Sequence, residues 1–143
     1  SENDIKSFSM TGQRRDLNRE KFKSENLLAV LNNPESNANK NLKYLRNAMD
    51  VRSKLKQFHP CSEMKCLSKG RSDIVVIKRG KGPESVFAIH NMTENKINYQ
   101  LNDNDLPKII DNDFNTHDFL TSTKYNCKNI SLDPFQVIWL SAL

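Results

Sequence analysis

The chain changes periodicity at His59-Pro60. Before this point apolar residues recur at helical spacing; after it, short β-branched and aromatic runs are separated by turn residues. Proline disfavours helix in the residue before it, so the dipeptide is a natural boundary. The charge balance shifts at the same place. Residues 1–58 carry 12 Lys/Arg against 7 Asp/Glu and residues 59–143 carry 10 against 10, so the whole net charge of +5 belongs to the first part. An α+β chain in two pieces is expected, 1–58 and 59–143.

In the first piece, Ser1 to Lys23 is polar without a sustained period and reads as a long ordered loop. Ser24 offers a side-chain oxygen to cap a short helix from Glu25 to about Asn32, with Leu27, Leu28 and Leu31 on its apolar face. Asn33 and Pro34 then suit the cap and first position of a longer helix, Pro34 to about Gln57. Its Ala38, Leu42, Leu45, Ala48, Met49 and Leu55 form one stripe. The short helix cannot cover a stripe of that length, so something else must pack on it.

Beyond Pro60, six short strands are expected: near Met64 to Leu67, Ile74 to Ile77, Val86 to Ile89, Ile97 to Leu101, a weaker one at Phe119 to Thr123, and Phe135 to Leu140. Gly80-Lys81-Gly82-Pro83 makes the second and third a hairpin. Phe135, Val137 and Trp139 fall on one face of the last. This pattern predicts a small antiparallel sandwich or Greek-key domain. The acidic stretch Asn102 to Asn115 reads as a loop.

Several classes are disfavoured. No apolar run reaches the roughly 18 residues of a membrane helix, so no membrane role is expected. Three cysteines, Cys61, Cys66 and Cys127, without a preceding signal segment predict free thiols in a cytoplasmic protein. Their spacing and that of His59, His90 and His117 fit no zinc site. A calcium loop starting at Asp103 would need Gly and Glu where Lys108 and Phe114 stand, so Asp103, Asp105, Asp111 and Asp113 read as a solvated loop. No metal or cofactor is expected. Asn91-Met92-Thr93 and Asn129-Ile130-Ser131 are sequons, relevant only to a secreted chain.

The run Thr11 to Glu20 is richest in chemistry. Arg14, Arg15 and Arg19 with Asp16 suit a hydroxyl-rich or phosphorylated ligand, because a guanidinium offers five fixed donors that a neighbouring carboxylate can orient. Ordinary salt bridging on a solvated loop explains the same residues. Only Phe8 and Phe22 flank the run, so nucleic acid is not an expected partner.

The order Asn3-Asp4, Thr11-Gly12, Arg15-Asp16-Leu17-Asn18-Arg19-Glu20-Lys21, then Asn33-Pro34-Glu35-Ser36 resembles the C-terminal region of sucrose phosphorylases, of the α-amylase superfamily (glycoside hydrolase family 13). Phe58-His59-Pro60, Ile89-His90-Asn91-Met92-Thr93 and Leu132-Asp133-Pro134-Phe135-Gln136-Val137-Ile138-Trp139-Leu140 are similar to that family's terminal β domain. The resemblance covers nearly the whole chain. It implies the end of a (β/α)8 barrel over 1–58, with Ser1 to Lys23 as the eighth βα loop, followed by an all-β domain over 59–143.

The resemblance also implies a function. Such barrels build their active site from loops at the C-terminal ends of the strands, which makes the basic run a wall of that site. Arg15 would hold the far hydroxyls of a donor glucosyl unit, with Asp4, Asp16, Asn18, Arg19 and Asn3 supporting the loop or touching the ligand. The family transfers the glucosyl unit of sucrose or a related glucoside to phosphate by retaining double displacement, using an Asp nucleophile and a Glu acid/base. These carboxylates belong to earlier strands that this sequence does not contain. No catalytic residue is therefore expected here, and the missing N-terminal barrel portion is the implied partner. A stand-alone carbohydrate-binding or regulatory module is the rival reading, with Trp139 and Tyr99 as sugar platforms, although their alternating strand positions suit a core better.

Overall fold

A computed structural model describes residues 2–13, 23–68, 70–106 and 115–141. They form two compact units, Ser1–Leu45 and Arg46–Leu143. The first contains helices α1 (Glu2–Thr11) and α2 (Ser24–Asn32) and the first half of α3 (Asn37–Lys54). Helix α1 corrects the expectation that Ser1 to Lys23 is all loop. Ile5 and Phe8 at helical spacing were too few to stand out in a polar stretch. The helix stops at Gly12, which takes a left-handed φ of 67° while its N–H donates to the Phe8 carbonyl at 2.7 Å.

Both expected caps are displaced. Ser24 is the first residue of α2 rather than its cap, and Lys23 before it supplies no side-chain cap. Asn33 Oδ1 accepts the Glu35 N–H at 3.0 Å, closing an Asx turn across Pro34. Ser36 Oγ accepts the Asn39 N–H at 3.0 Å and donates to the Val30 carbonyl at 2.6 Å, so Ser36 starts α3. The helix thus begins three residues later than the Pro34 position suggested and ends at Lys54, with a separate 3-10 turn over Lys56–Phe58. Neither α2 nor α3 buries a residue, and Leu27, Leu28, Leu45 and Met49 are exposed. No described helix is long and apolar enough to cross a membrane.

Among the described residues the second unit holds eight strands: β1 (Met64–Cys66), β2 (Ile74–Arg79), β3 (Val86–Asn91), β4 (Ile97–Tyr99), β5 (Asn115–His117), β6 (Lys124–Asn126), β7 (Ile130–Leu132) and β8 (Val137–Ser141). The main sheet runs β1-β2-β3-β8, and β4 with β7 and β5 with β6 form two smaller pairs. All pairings are antiparallel. The fold is therefore α+β with antiparallel sheets. The β2–β3 hairpin stands as expected, and β3, central in the sheet, is buried on both faces from Val86 to Ile89.

Two expectations fail within this unit. Phe119 to Thr123 is a turn, closed by the Asp118 N–H to the Thr123 carbonyl at 2.9 Å and the Ser122 N–H to the Asp118 carbonyl at 2.7 Å. Asp118 is fully buried, and its carboxylate accepts the Trp139 N–H at 2.7 Å, the Leu120 N–H at 3.2 Å and the Thr121 hydroxyl at 2.7 Å. Phe135 lies in the turn before β8 with φ 55° and is exposed, so it shares no strand face with Val137 and Trp139. The core side of β8 is the alternate set, Ile138 and Leu140, joined by Ile74, Val76, Phe87, Ile89, Leu101, Ile130 and Leu132.

Two contacts tie the loops to this core. Asn91 is 2% exposed and fully satisfied: Nδ2 donates to the Asn95 and Asp133 carbonyls at 2.7 and 2.8 Å, and Oδ1 accepts from the Thr93 N–H and hydroxyl, both at 2.9 Å. Arg79 donates from Nε to the Gln57 carbonyl at 3.1 Å and from a terminal nitrogen to the His59 carbonyl at 2.8 Å, fixing the 3-10 turn against the sheet.

Candidate functional site

The basic run expected to carry function falls mostly outside the described residues: Arg14, Arg15, Asp16, Asn18 and Arg19 all lie in 14–22. Its two flanks are described. On one side α1 ends at Thr11 and Gly12, where the Gln13 N–H donates to Thr11 Oγ1 at 3.3 Å; on the other α2 starts at Ser24. Asn3 and Asp4 sit on the α1 backbone, their side chains outside those described.

Three of the hollows among the described residues of the second unit bring together side chains with chemistry. One, of 530 Å³, lies beside the turn after α3 and is lined by Lys56, Gln57, His59, Cys61 and Lys81 among others. Its lysines are already committed, Lys56 to Glu84 at 2.6 Å and Lys81 to Glu63 at 3.1 Å. Gly80 at its edge holds φ 80°, and a Cβ there would come within 2.9 Å of Gln57 Cγ, so a side chain would strain the backbone and displace Gln57. His59 Nδ1 accepts the Cys61 N–H at 3.2 Å, which orients the ring toward backbone rather than toward a thiol.

A second hollow of 390 Å³ runs under Trp139 on the sheet face away from the core, with Phe58, Met64, Ile77, Arg79 and His90. Here Phe58 and Trp139 stack with ring centroids 4.6 Å apart. Burial pushes the His90 pKa down, favouring its neutral form. The third, 440 Å³, is polar: Arg71, Asn98, Tyr99, Gln100, Lys128 and Asn129. Arg71 lies over the Tyr99 ring, 5.6 Å from its centroid, and grips Asp73 with two nitrogens, Nε at 2.8 Å. That hydrogen-bonded pairing raises the Arg71 pKa and lowers that of Asp73. Burial, followed by the nearby Asp105 charge, raises the Tyr99 hydroxyl.

Neither proposed sugar platform is an open ring, since Trp139 faces Phe58 and Tyr99 faces Arg71. The cysteines are free; Cys61 and Cys66 are exposed, and burial pushes the Cys127 thiol up to about 11, which removes it as a nucleophile. Among the described residues no three His, Cys, Asp or Glu side chains gather as a metal site. Of the acidic loop, Asp111 and Asp113 lie outside the described residues; Asp105 accepts Lys65 Nζ at 2.8 Å, and Asp103 pairs with Lys128. The polar hollow escaped sequence reasoning because its residues come from three separate turns and strand ends with no spacing in common.

No family model and no curated protein matches the chain. Solved structures do. AmyP in complex with maltose aligns over 75% of this chain and 21% of its own at 17% identity, TM-score 0.60. A mutant of Bacillus licheniformis trehalose-6-phosphate hydrolase in complex with PNG aligns over 89% and 21% at 14% identity, TM-score 0.55. The chain spans about a fifth of the length of these structures. Both are α-amylase-family enzymes, and the likeness that the chain bears to a part of each is one of fold.

Proposed function

We propose that the chain is part of a larger α-amylase-family enzyme and, more finely, the C-terminal segment of a sucrose phosphorylase-like glycoside phosphorylase. Residues 1–58 close its catalytic barrel, and residues 59–143 form the appended β domain. The order of motifs carries the reading: Arg15-Asp16-Leu17-Asn18-Arg19 follows Asn3-Asp4 and precedes Asn33-Pro34 as it does in that family. Two observations support the coarser half of it. The chain aligns with about a fifth of two α-amylase-family enzymes, and Leu27, Leu28, Leu45 and Met49 on the apolar stripes of α2 and α3 are exposed, as expected of helices that a further body covers.

In this reading the whole enzyme transfers a glucosyl unit from sucrose or a related glucoside to phosphate with retention, giving glucose 1-phosphate. Arg15 binds the far hydroxyls of the donor sugar with Asp16, Asn18, Arg19 and Asp4 around it, and the nucleophile and acid/base reside on strands outside this sequence. The DNA immediately upstream of the Ser1 codon tests it. An in-frame stretch encoding barrel strands is the expected result, and unrelated sequence overturns the reading. In the intact enzyme, Arg15→Ala should lower kcat/KM for sucrose phosphorolysis by roughly 100-fold through loss of sugar positioning. The isolated chain should release no glucose 1-phosphate from sucrose and phosphate.

A further inference from the structure

The polar hollow is built entirely from residues 71 to 129 of the second unit. Its two cations are internally balanced, Arg71 by Asp73 and Lys128 by Asp103. An anion entering there would have to compete with carboxylates already in place, so the hollow has no surplus charge to attract one. What it does have is uncommitted carboxamide. The side chains of Asn98, Gln100 and Asn129 make no hydrogen bond among the described residues, yet all three line the same 440 Å³ space.

Their backbone is fixed although their side chains are exposed. Asn98 pairs with Ser131 and Tyr99 with Ile130 in the β4–β7 ladder, the Leu101 N–H donates to the Cys127 carbonyl at 3.0 Å, and the Asn129 N–H donates to the Asn126 carbonyl at 3.0 Å. The Tyr99 side chain is half-buried beneath the Arg71 guanidinium and packs against the core. The carboxamides are therefore presented from a rigid floor, which limits the ordering cost of binding. Each offers two donors and an acceptor, the complement of a hydroxyl that both donates and accepts. A hollow of this size lies within the range of small-molecule sites.

We propose that this hollow is a binding site for a neutral, hydroxyl-rich ligand of mono- or disaccharide size, held by Asn98, Gln100 and Asn129. The site is independent of the phosphorylase reading and of the basic run. Titration of the ¹⁵N-labelled chain with glucose and with maltose tests it by proton–nitrogen correlation spectra. Saturable shifts are expected at the three side-chain amides and at the Tyr99 backbone, with a dissociation constant on the order of 1–10 mM. The double variant Gln100→Ala/Asn129→Ala, at two exposed positions, should keep the rest of the spectrum and weaken binding at least about tenfold, the loss of roughly 1.4 kcal/mol. Absent or non-saturable shifts with both sugars overturn the proposal, as do shifts that persist in the double variant. Inorganic phosphate, titrated in parallel, should leave these amides unmoved; phosphate shifts in place of sugar shifts would make this an anion site and refute the assignment.

Discussion

Asp118 shows how much of the β unit can hang on one side chain. Its carboxylate reaches from the 118–123 turn to the Trp139 N–H, so it fixes the turn and pins it to β8. Asp118→Ala leaves two backbone N–H groups buried without acceptors and should cost about 3–4 kcal/mol in urea unfolding; Asp118→Asn, which keeps one acceptor oxygen, should cost less than half of that. Equal losses in the two variants would show that the carboxylate is not acting as an acceptor. His90 makes a second test at this scale. Burial lowers its folded pKa, and Arg52 and Arg79 line the same hollow. The unfolded chain therefore binds the proton more readily, so the contribution of His90 is fully present above about pH 6.5 and is lost as the pH falls below that. The decline in Tm between about pH 7 and pH 5 should flatten in His90→Gln; an unchanged slope would assign the decline to other groups.

At the scale of elements, α3 is a helix whose stripe is only partly covered, with Ala38, Leu42 and Ala48 half-buried. Leu45 and Met49 are 56% and 62% exposed, an arrangement that favours self-association of the isolated chain. The pair Leu45→Lys and Met49→Lys should shift sedimentation toward monomer without lowering Tm, because neither side chain is buried. Persistence of the same association would place the contact elsewhere. This stripe was legible in the sequence because its spacing repeats over many residues, and the β2–β3 hairpin was legible because two β-branched runs flank a Gly-Pro turn. Strands β5, β6 and β7 were not: each has three residues, too few to show a period, and Asn-Thr-His and Lys-Tyr-Asn carry no apolar alternation. The Phe119 to Thr123 strand was a false reading of local β propensity, overridden by a buried carboxylate that no spacing rule reveals. Phe135 failed for a similar reason, since only the fold shows that its backbone turns left-handed. The basic run was legible as chemistry, while the carboxamide hollow is scattered over residues 71 to 129 and becomes a site only when the chain closes.

For the whole molecule, the two units differ in what holds them. The second has a continuous core, whereas α2 and α3 bury no residue, and helices without a covered face are marginal in water. Trp139, the sole tryptophan, reports on the second unit through its contact with Phe58. Helical circular dichroism should therefore fall at lower urea than Trp139 fluorescence changes; coincident transitions would mean that the units unfold as one. Asn91 carries a consequence for the places where such a chain can mature. It is the acceptor of a glycosylation sequon, but both of its amide protons are already donated to carbonyls and the side chain is closed from solvent. A glycan on Nδ2 would remove one of those donors and bring a bulk for which there is no room. The folded β unit and an N-glycan at Asn91 exclude one another, so passage through a glycosylating compartment would divert every modified copy from the native state.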